Sequence, residues 1–213
     1  NFMKILAVLN EKGGVGKTTM ATNLARGLQL AGQSAIIIDS DPQGSARDWY
    51  AAARDDNQLP PVVGMDRPPL FKNLKHVAQG FAWAVIDGSP RVEDLAVAAV
   101  KVADLVLIPV QPSPYDIWAT ESLVDLVKTR QELANGKPSA AFLISRQIVG
   151  TKLAAEAREA LEGYQLPILQ NLTSQRVIYA NSAARGSTVL DDEPTGAAAE
   201  EIRALVKEII AWR

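Results

Sequence analysis

Two kinds of apolar pattern alternate along the chain. Short runs rich in β-branched residues predict buried strands, and longer segments with apolar residues at helical spacing predict helices. The predicted strands are residues 4–10, 34–39, 81–87, 104–110 and 140–145. The predicted helices are residues 18–31, 92–102, 115–133, 152–163 and 197–212. The proline-rich stretch at residues 59–69 predicts a loop that crosses the edge of the domain.

This alternation predicts an α/β fold with a mostly parallel central sheet and helices on both faces. Ligands of such sheets lie beyond the carboxyl ends of the strands. Polar residues collect at four of the predicted ends, at residues 12–19, 39–43, 87–91 and 111–116. The chain of 213 residues is long enough to bury one substantial core, so we expect a single domain over residues 3–213.

A glycine-rich turn joins the first predicted strand to the first predicted helix. Its residues are Lys12, Gly13, Gly14, Val15, Gly16, Lys17, Thr18 and Thr19. The usual phosphate-loop pattern has a glycine five residues before Gly16, where this chain has Glu11. Glycines still allow backbone N–H groups to curl around phosphates at the positive end of a helix. A turn that binds nothing is the alternative, and the lysine and two threonines at fixed spacing argue against it.

Three side chains of this turn have distinct expected tasks. Lys17 is placed to reach the β and γ phosphates of a nucleotide, and the Thr18 hydroxyl is placed to ligate Mg²⁺. Thr19 should meet the α-phosphate. ATP and Mg²⁺ are therefore the expected cofactors.

Composition removes several other chemistries. The chain has no cysteine, which excludes disulfides, thiolate metal sites and cysteine nucleophiles, and its one histidine, His76, disfavours a histidine triad. No apolar run is long enough to span a bilayer, and we expect a cytoplasmic protein. The formal net charge of −2 does not indicate a globally basic protein, so any DNA contact would need a local patch.

Several motifs together resemble those of the ParA/MinD family of deviant-Walker ATPases. The first is the turn at residues 12–19, and the second is Asp39-Ser40-Asp41-Pro42-Gln43-Gly44. The strand that ends at Asp87 resembles the Walker B strand, and residues 107–114 resemble a proline-rich strand end of the family. The resemblance covers nearly the whole chain and is nearest to the short, ParF-like partition ATPases.

The resemblance implies a role for each matched position. Lys12 would be the signature lysine, which reaches the ATP phosphates of a dimer partner. Asp41 would orient the attacking water, Asp39 would support the Mg²⁺ shell, and Asp87 would hold Mg²⁺ through a water. The Gly88 N–H would donate to the γ-phosphate. The expected catalytic residues are Lys12, Lys17 and Asp41. On the residues alone, Asp39 and Asp41 could instead cap a helix or form the turn that follows them.

The resemblance also implies a cycle of assembly. ATP would close a sandwich homodimer that binds DNA without sequence preference, so the ATP state would be nucleoid-associated. Hydrolysis to ADP and phosphate, slow until a ParB-like or cargo-adaptor protein stimulates it, would release the dimer. The basic residues expected at the DNA surface are Lys152, Arg176, Arg185, Arg203 and Lys207. An ordinary solvated face of mixed charge is the alternative for these five.

Two other functions fit the same motifs. A MinD-like positioning ATPase would use an amphipathic last helix to bind a membrane. The polar face of that predicted helix mixes acidic with basic residues, so no stable membrane association is expected. An ATP-dependent small-molecule ligase of the same fold is the third possibility, and Lys12 together with the motif at residues 39–43 argues against it.

Overall fold

A six-stranded sheet forms the centre of the computed structural model, which describes residues 3–54, 58–90 and 93–212. The strands are β1 (Lys4–Val8), β2 (Ala35–Asp39), β3 (Val62–Gly64), β4 (Trp83–Asp87), β5 (Leu105–Val110) and β6 (Ser139–Ile144). Their order across the sheet is β3-β2-β4-β1-β5-β6, and every neighbouring pair is parallel. The predicted parallel sheet is confirmed, and five of its strands overlap the five predicted ones.

Helices cover both faces of this sheet. They are α1 (Lys17–Leu30), α2 (Ser45–Ala51), α3 (Leu74–Val77), α4 (Glu93–Val102), α5 (Pro114–Trp118), α6 (Glu121–Leu133), α7 (Leu153–Glu162), α8 (Val177–Ala184), α9 (Val189–Asp192) and α10 (Ala197–Ala211), with a 3-10 helix at Pro68–Asn73. Successive strand residues point to opposite faces. Ile5 and Ala7 of β1 accordingly enter a core with α4 and α6, whereas Leu6 and Val8 enter a core with α1 and α10. Burial on both faces explains why the strands are continuously apolar in sequence.

Two short elements near the sheet edge differ from the prediction. The loop predicted at residues 59–69 contains β3, which pairs with β2 as an edge strand. Three residues are too few to show an alternating pattern, so the prediction of a continuous loop is wrong there. Helix α2 was also not predicted. It begins after Gly44, and the Asp39 carboxylate accepts the Arg47 N–H from outside the helix, a contact that sequence spacing does not reveal.

The helix predicted at residues 115–133 is interrupted. The structure divides it into α5 and α6 at Thr120, which is fully buried. The Thr120 hydroxyl donates to the Ile117 carbonyl at 2.7 Å, and the Thr120 N–H donates to the same oxygen. Threonine hydroxyls compete in this way with the helical hydrogen-bond ladder. The separate α5 follows β5 closely, at the edge of the sheet where the strands end.

The carboxyl ends of the central strands meet at that edge. The register pairs Val8 of β1 with Asp87 of β4, and Asp87 with Asp39 of β2. The glycine-rich turn that follows β1 therefore lies beside two acidic strand ends.

The last helix, α10, belongs to the core. Ile202, Leu205, Val206 and Ile209 are buried against the α1 side of the sheet, as the sequence predicted. Helices α1 and α10 approach each other so closely at Gly27 of α1 that a Cβ atom there would lie 2.6 Å from Val206 Cγ2. Among the described residues, no helix has the length and apolar character required to cross a bilayer.

Candidate nucleotide-binding site

The turn between β1 and α1 has the backbone shape of a phosphate-binding loop. Gly14 and Gly16 have φ angles of 75° and 90°, a left-handed conformation that glycine adopts without steric cost. Gly16 is the N-cap of α1, so the positive end of that helix faces the loop. The loop borders an open cavity of about 710 Å³, which Lys17, Thr18 and Asp41 also line. This cavity, here called the phosphate cavity, has the N–H groups and charges that a polyphosphate requires.

Side chains from neighbouring strand ends hold the loop in place. Asn10 accepts the Lys12 N–H at 2.9 Å and donates to the Pro109 carbonyl at 2.8 Å. Arg146, which follows β6, donates from Nη1 to the Gly14 carbonyl at 2.7 Å. Its φ of 54° is uncommon for a residue other than glycine. The strand ends of β5 and β6 thus fix the loop before a nucleotide binds.

Lys17 is buried at the floor of the loop. Its Nζ donates to the Lys12 carbonyl at 2.8 Å. Burial lowers the pKa of Lys17, and the negative charges of Asp87 and Asp41 oppose that change. Among the described residues this carbonyl is the one acceptor of the buried ammonium. Such a group gains strongly from phosphate oxygens, because hydrogen bonds between charged groups are the strong ones.

Asp87 carries the most perturbed carboxyl group of the site. Thr18 donates its hydroxyl to Asp87 Oδ2 at 2.7 Å, whereas Oδ1 is buried and has no hydrogen-bond partner among the described residues. Burial raises the pKa of Asp87 to about 7, although the Thr18 hydrogen bond acts in the opposite direction. A buried, unpartnered carboxylate oxygen is costly unless it faces a cation or a cation-bound water.

Thr18 and Asp87 therefore fit Mg²⁺. In proteins this ion commonly takes one or two carboxylates, keeps several waters and binds substrate phosphates. Within residues 3–54, 58–90 and 93–212, no group of three acidic or histidine side chains is arranged to hold a metal. A Mg²⁺ ion at Thr18 would therefore take its other ligands from the nucleotide and from water.

Both oxygens of Asp39 are already occupied by protein donors. Oδ1 accepts the Asp41 N–H at 3.0 Å, and Oδ2 accepts the Arg47 N–H at 3.0 Å and Nε at 3.2 Å. The side chain is fully buried. This is the arrangement of the turn-and-cap alternative, while support of the Mg²⁺ shell by Asp39 stays a prediction.

Asp41 differs from Asp39 in having an oxygen that is not used by the protein. Its Oδ1 accepts the Gln43 N–H at 3.0 Å, and Oδ2 accepts no hydrogen bond from the described residues. Asp41 lines the phosphate cavity together with Lys17 and Thr18. The geometry suits a carboxylate that orients a water, and that role stays a prediction.

Lys12 lies outside the phosphate cavity. Its Nζ is 2.8 Å from Oδ1 of Asp116, and the Asp116 side chain is buried. Because no donor among the described residues is aligned for a hydrogen bond to this Oδ1 atom, the contact is an ion pair. The Lys12 side chain is 43% exposed and lines a neighbouring depression with Trp118. Trp118 and Tyr115 form an edge-to-face pair and are 62% and 76% exposed. Lys12 is thus a rim cation beside an exposed aromatic pair.

A second cavity adjoins the phosphate cavity. It has a volume of about 540 Å³ and shares Gly16, Thr19 and Arg146 with the first. Residues 173–176 also line it. Arg176 is held there by Glu201 at 2.8 Å. The two cavities together have the form of a site for phosphates and an attached base.

Gly88 does not have the free N–H that was expected for the γ-phosphate. That N–H donates to the Val8 carbonyl at 3.0 Å. A Cβ atom at position 88 would lie 2.5 Å from Leu9 Cδ2, so close packing of β4 against β1 requires glycine. Residues 91 and 92, which end one predicted polar stretch and begin a predicted helix, lie outside the described residues.

The five basic residues expected at a DNA surface are in unequal situations. Arg176 and Arg185 form ion pairs with Glu201 and Asp192, each at 2.8 Å. Arg203 donates to the Pro194 carbonyl. Lys152 and Lys207 are exposed and make no ion pair within the described part of the chain. The structure does not gather the five residues into one cluster through direct contacts.

Three residues with evident tasks were not singled out by the sequence. They are Arg47, Arg146 and Asp116, of which the last acts through its ion pair with Lys12. Arg146 and Asp116 follow β6 and β5, so the rule that ligands lie beyond carboxyl strand ends provides a signal for both. Arg47 lies within a short helix that was not predicted, and its task depends on a fold contact with Asp39.

Comparisons with known proteins agree with this geometry. A family model described as the CobQ/CobB/MinD/ParA nucleotide binding domain matches residues 6–189. The maintenance of carboxysome distribution protein A of Halothiobacillus neapolitanus is 30% identical over 209 residues, which are 96% of this chain and 95% of that protein. The chromosome-partitioning ATPase Soj of Thermus thermophilus is 26% identical over 239 residues, which cover 97% of this chain and 95% of that protein.

Solved structures show the same fold. The apo structure of McdA from Cyanothece has a TM-score of 0.81 at 18% identity, over 98% of this chain and 100% of that one. Structures of this fold also include an ATP complex of McdA and a Mg-ADP complex of MinD.

Proposed function

This chain belongs to the CobQ/CobB/MinD/ParA family of nucleotide-binding proteins, and from that premise we propose that it is a partition or cargo-positioning ATPase with two states. It hydrolyses ATP, and Mg²⁺ is the cofactor of the reaction. In the proposed cycle, MgATP closes a homodimer that binds DNA without sequence preference. Hydrolysis, stimulated by a ParB-like or cargo-adaptor protein, returns the dimer to monomers.

The position of Lys12 carries this proposal. Its ammonium is held at the rim by Asp116, while Lys17 supplies the cation inside the cavity. In a face-to-face dimer, a rim lysine would be placed to meet the phosphates bound by the second copy of the chain. The exposed Tyr115 and Trp118 beside it would be covered by that copy, and burial of aromatic surface favours association. Docking would replace the Asp116 partner of Lys12 by phosphate oxygens.

The proposed chemistry is an in-line attack of water on the γ-phosphate. Mg²⁺ supplies charge neutralisation at the phosphate oxygens when it is bound. Thr18 and Asp87 would hold that ion, and Lys17 would bind the β and γ phosphates. The free Oδ2 of Asp41 would orient the attacking water. Catalysis of this kind rests on positioning and charge rather than on a covalent intermediate.

DNA binding by the dimer is proposed from the distribution of charge. One copy is slightly acidic, and three of its five expected DNA contacts are held by carboxylates or a carbonyl. A dimer would carry two copies each of the exposed Lys152 and Lys207. Because affinity from phosphate neutralisation grows with the number of cations, the dimer would bind and the monomer would not.

The cargo is proposed as a class. The two relatives compared above are named for carboxysome distribution and for chromosome partitioning. Both are tasks in which a large object is moved or spaced. We therefore propose that this chain positions a protein assembly or a replicon.

An anisotropy titration tests the DNA switch. Unrelated labelled duplexes are titrated with protein and either a slowly hydrolysed ATP analogue or ADP, across a series of salt concentrations. The proposal predicts binding with the analogue only, equal for all sequences, with a steep loss of affinity as salt rises.

Two lysine variants and a liposome sedimentation assay extend this test. Lys207→Gln should weaken DNA binding, whereas Lys101→Gln, a matched change of an exposed lysine on α4, should not. The buried apolar face of α10 predicts no sedimentation with anionic liposomes. Equal DNA binding with analogue and ADP would refute the switch, and ATP-dependent liposome binding would support the MinD-like alternative instead.

A further inference from the structure

One side chain outside the reaction described above holds the turn that carries Asp41. We propose that Arg47 is a positioning residue, whose guanidinium fixes the main chain of Asp41 so that its free oxygen faces the phosphate cavity. The proposal rests on the role of Asp41 in orienting water. It adds to the site a residue that would act through Asp41 rather than on the reacting atoms.

The contacts of Arg47 converge on the two acidic residues after β2. Nη2 donates to the Asp41 carbonyl at 2.8 Å, and Nε donates to Asp39 Oδ2 at 3.2 Å. The same Asp39 oxygen accepts the Arg47 N–H, so side chain and backbone of Arg47 are fixed by one carboxylate. A third branch, Nη1, lies 3.5 Å from Asp66 beyond β3. The Arg47 guanidinium therefore connects the turn that carries Asp41 to the end of β2 and to the edge of the sheet.

Two glycines provide the surface on which the guanidinium lies. A Cβ atom at Gly64 would be 3.0 Å from Arg47 Nη1, and one at Gly44 would be 3.2 Å from Arg47 Nε. Gly64 is the register partner of Asp39 in the pair of β2 and β3. Gly44 has a φ of 73° and is the N-cap of α2. The guanidinium therefore lies close to the main chain of both glycines.

The result is an Asp41 main chain fixed from both directions. Its N–H donates to Asp39 Oδ1 at 3.0 Å, and its carbonyl accepts from Arg47 Nη2 and from the Gly44 N–H at 2.9 Å. The side chain is fixed through Oδ1 by the Gln43 N–H. Of the oxygen atoms of Asp41, Oδ2 alone accepts no hydrogen bond from the described residues and is left for the cavity. A reaction that depends on geometry is sensitive to this restraint, because a displacement of about 1 Å can cost roughly a hundredfold in rate.

Arginine is suited to this position for two reasons. Its charge compensates the fully buried carboxylate of Asp39, which would otherwise be costly. Its rigid fork reaches Asp39 and the Asp41 carbonyl at the same time, which a lysine ammonium on a flexible chain does less well. Lysine at position 47 should therefore keep the charge but only part of the geometry.

The test separates turnover from binding. Steady-state ATPase assays and calorimetric MgATP titrations compare the parent with Arg47→Met and Arg47→Lys. We expect Arg47→Met to lower kcat by roughly tenfold or more, with the Kd for MgATP changed less than about twofold. Arg47→Lys should recover part of the lost kcat. Parental kcat in Arg47→Met overturns the proposal, as does a Kd that rises in step with the fall in kcat.

Three further variants make the result unambiguous. Arg26→Met is the matched control, because Arg26 on α1 also pairs with a carboxylate, that of Asp191 at 2.7 Å. Arg26→Met should keep the parental kcat. If Arg47→Met does not fold, Arg47→Lys and Gly64→Ala decide, and parental kcat in both overturns the proposal. Asp41→Ala should bind MgATP and lose turnover. Full turnover by Asp41→Ala would refute the water-orienting role of Asp41 and, with it, the positioning role of Arg47. A loss of turnover in Asp41→Ala but not in Arg47→Met would refute the positioning role of Arg47 alone.

Discussion

At the residue scale, Lys17 is the cation on which nucleotide binding depends most directly. In the described structure its ammonium is buried and has a single carbonyl acceptor, the Lys12 oxygen. Lys17→Ala should weaken MgATP binding by roughly a hundredfold or more, because two hydrogen bonds to charged phosphate oxygens contribute about 1.5–3 kcal/mol each. Calorimetric titration measures this, with Lys101→Ala as an exposed-lysine control. Binding at parental affinity would remove the phosphate-loop assignment.

The buried carboxyl of Asp87 predicts a pH dependence of stability. Its pKa rises from 3.8 to about 7 on folding, so as pH increases the unfolded chain releases this proton first. The stability of the ligand-free protein should therefore fall between about pH 4 and pH 7 and then level off. In Asp87→Asn this contribution should be absent. Urea unfolding of both proteins across that pH range gives the difference, and parallel curves would contradict the buried, perturbed carboxyl group.

At the element scale, the sequence predicted the parts of the fold that are long and strongly patterned. Strands such as β4 and β5 are continuous apolar runs, and their burial on both faces makes that pattern unmistakable. The phosphate loop was predictable because glycine, lysine and threonine have fixed tasks at fixed spacing. The short β3 was not predictable, since its three residues acquire a structure only by pairing with β2.

The missed residues of the site have the same physical cause. Arg47 and Asp116 act through contacts with Asp39 and Lys12, which folding brings within 3.2 Å and 2.8 Å. Neither contact follows from local propensity. Asp39 shows the limit most clearly, because its motif does not reveal that its oxygens accept the N–H groups of Asp41 and Arg47. Its support of the Mg²⁺ shell stays a prediction.

The packing of α10 on α1 gives a prediction at this scale. Gly27 is the point of closest approach, with Val206 Cγ2 2.6 Å from the place of a Cβ atom. Gly27→Val should destabilise the protein by more than about 1 kcal/mol, because overpacking a core costs about 1–3 kcal/mol. Gly163→Ala, whose added Cβ would be only in ordinary contact, is the control for thermal unfolding. An unchanged melting temperature in Gly27→Val would mean that α10 is not held against α1.

At the scale of the whole molecule, the proposed function implies that the nucleotide site is complete only when two copies pair. The phosphate cavity has its own lysine, and a second lysine faces outward beside exposed Tyr115 and Trp118. Dimer formation, DNA binding and turnover would then respond to one event, the filling of two cavities at a shared face.

Light scattering on a sizing column, with a slowly hydrolysed ATP analogue or ADP, tests that claim most directly. A mass of about 46 kDa, twice the 22.9 kDa of one chain, is expected with the analogue, and the monomer mass is expected with ADP. Lys12→Ala should bind the analogue by calorimetry and yet stay at the monomer mass. A parent protein that stays monomeric when its site is filled, or a Lys12→Ala protein that still forms the dimer, would contradict the account.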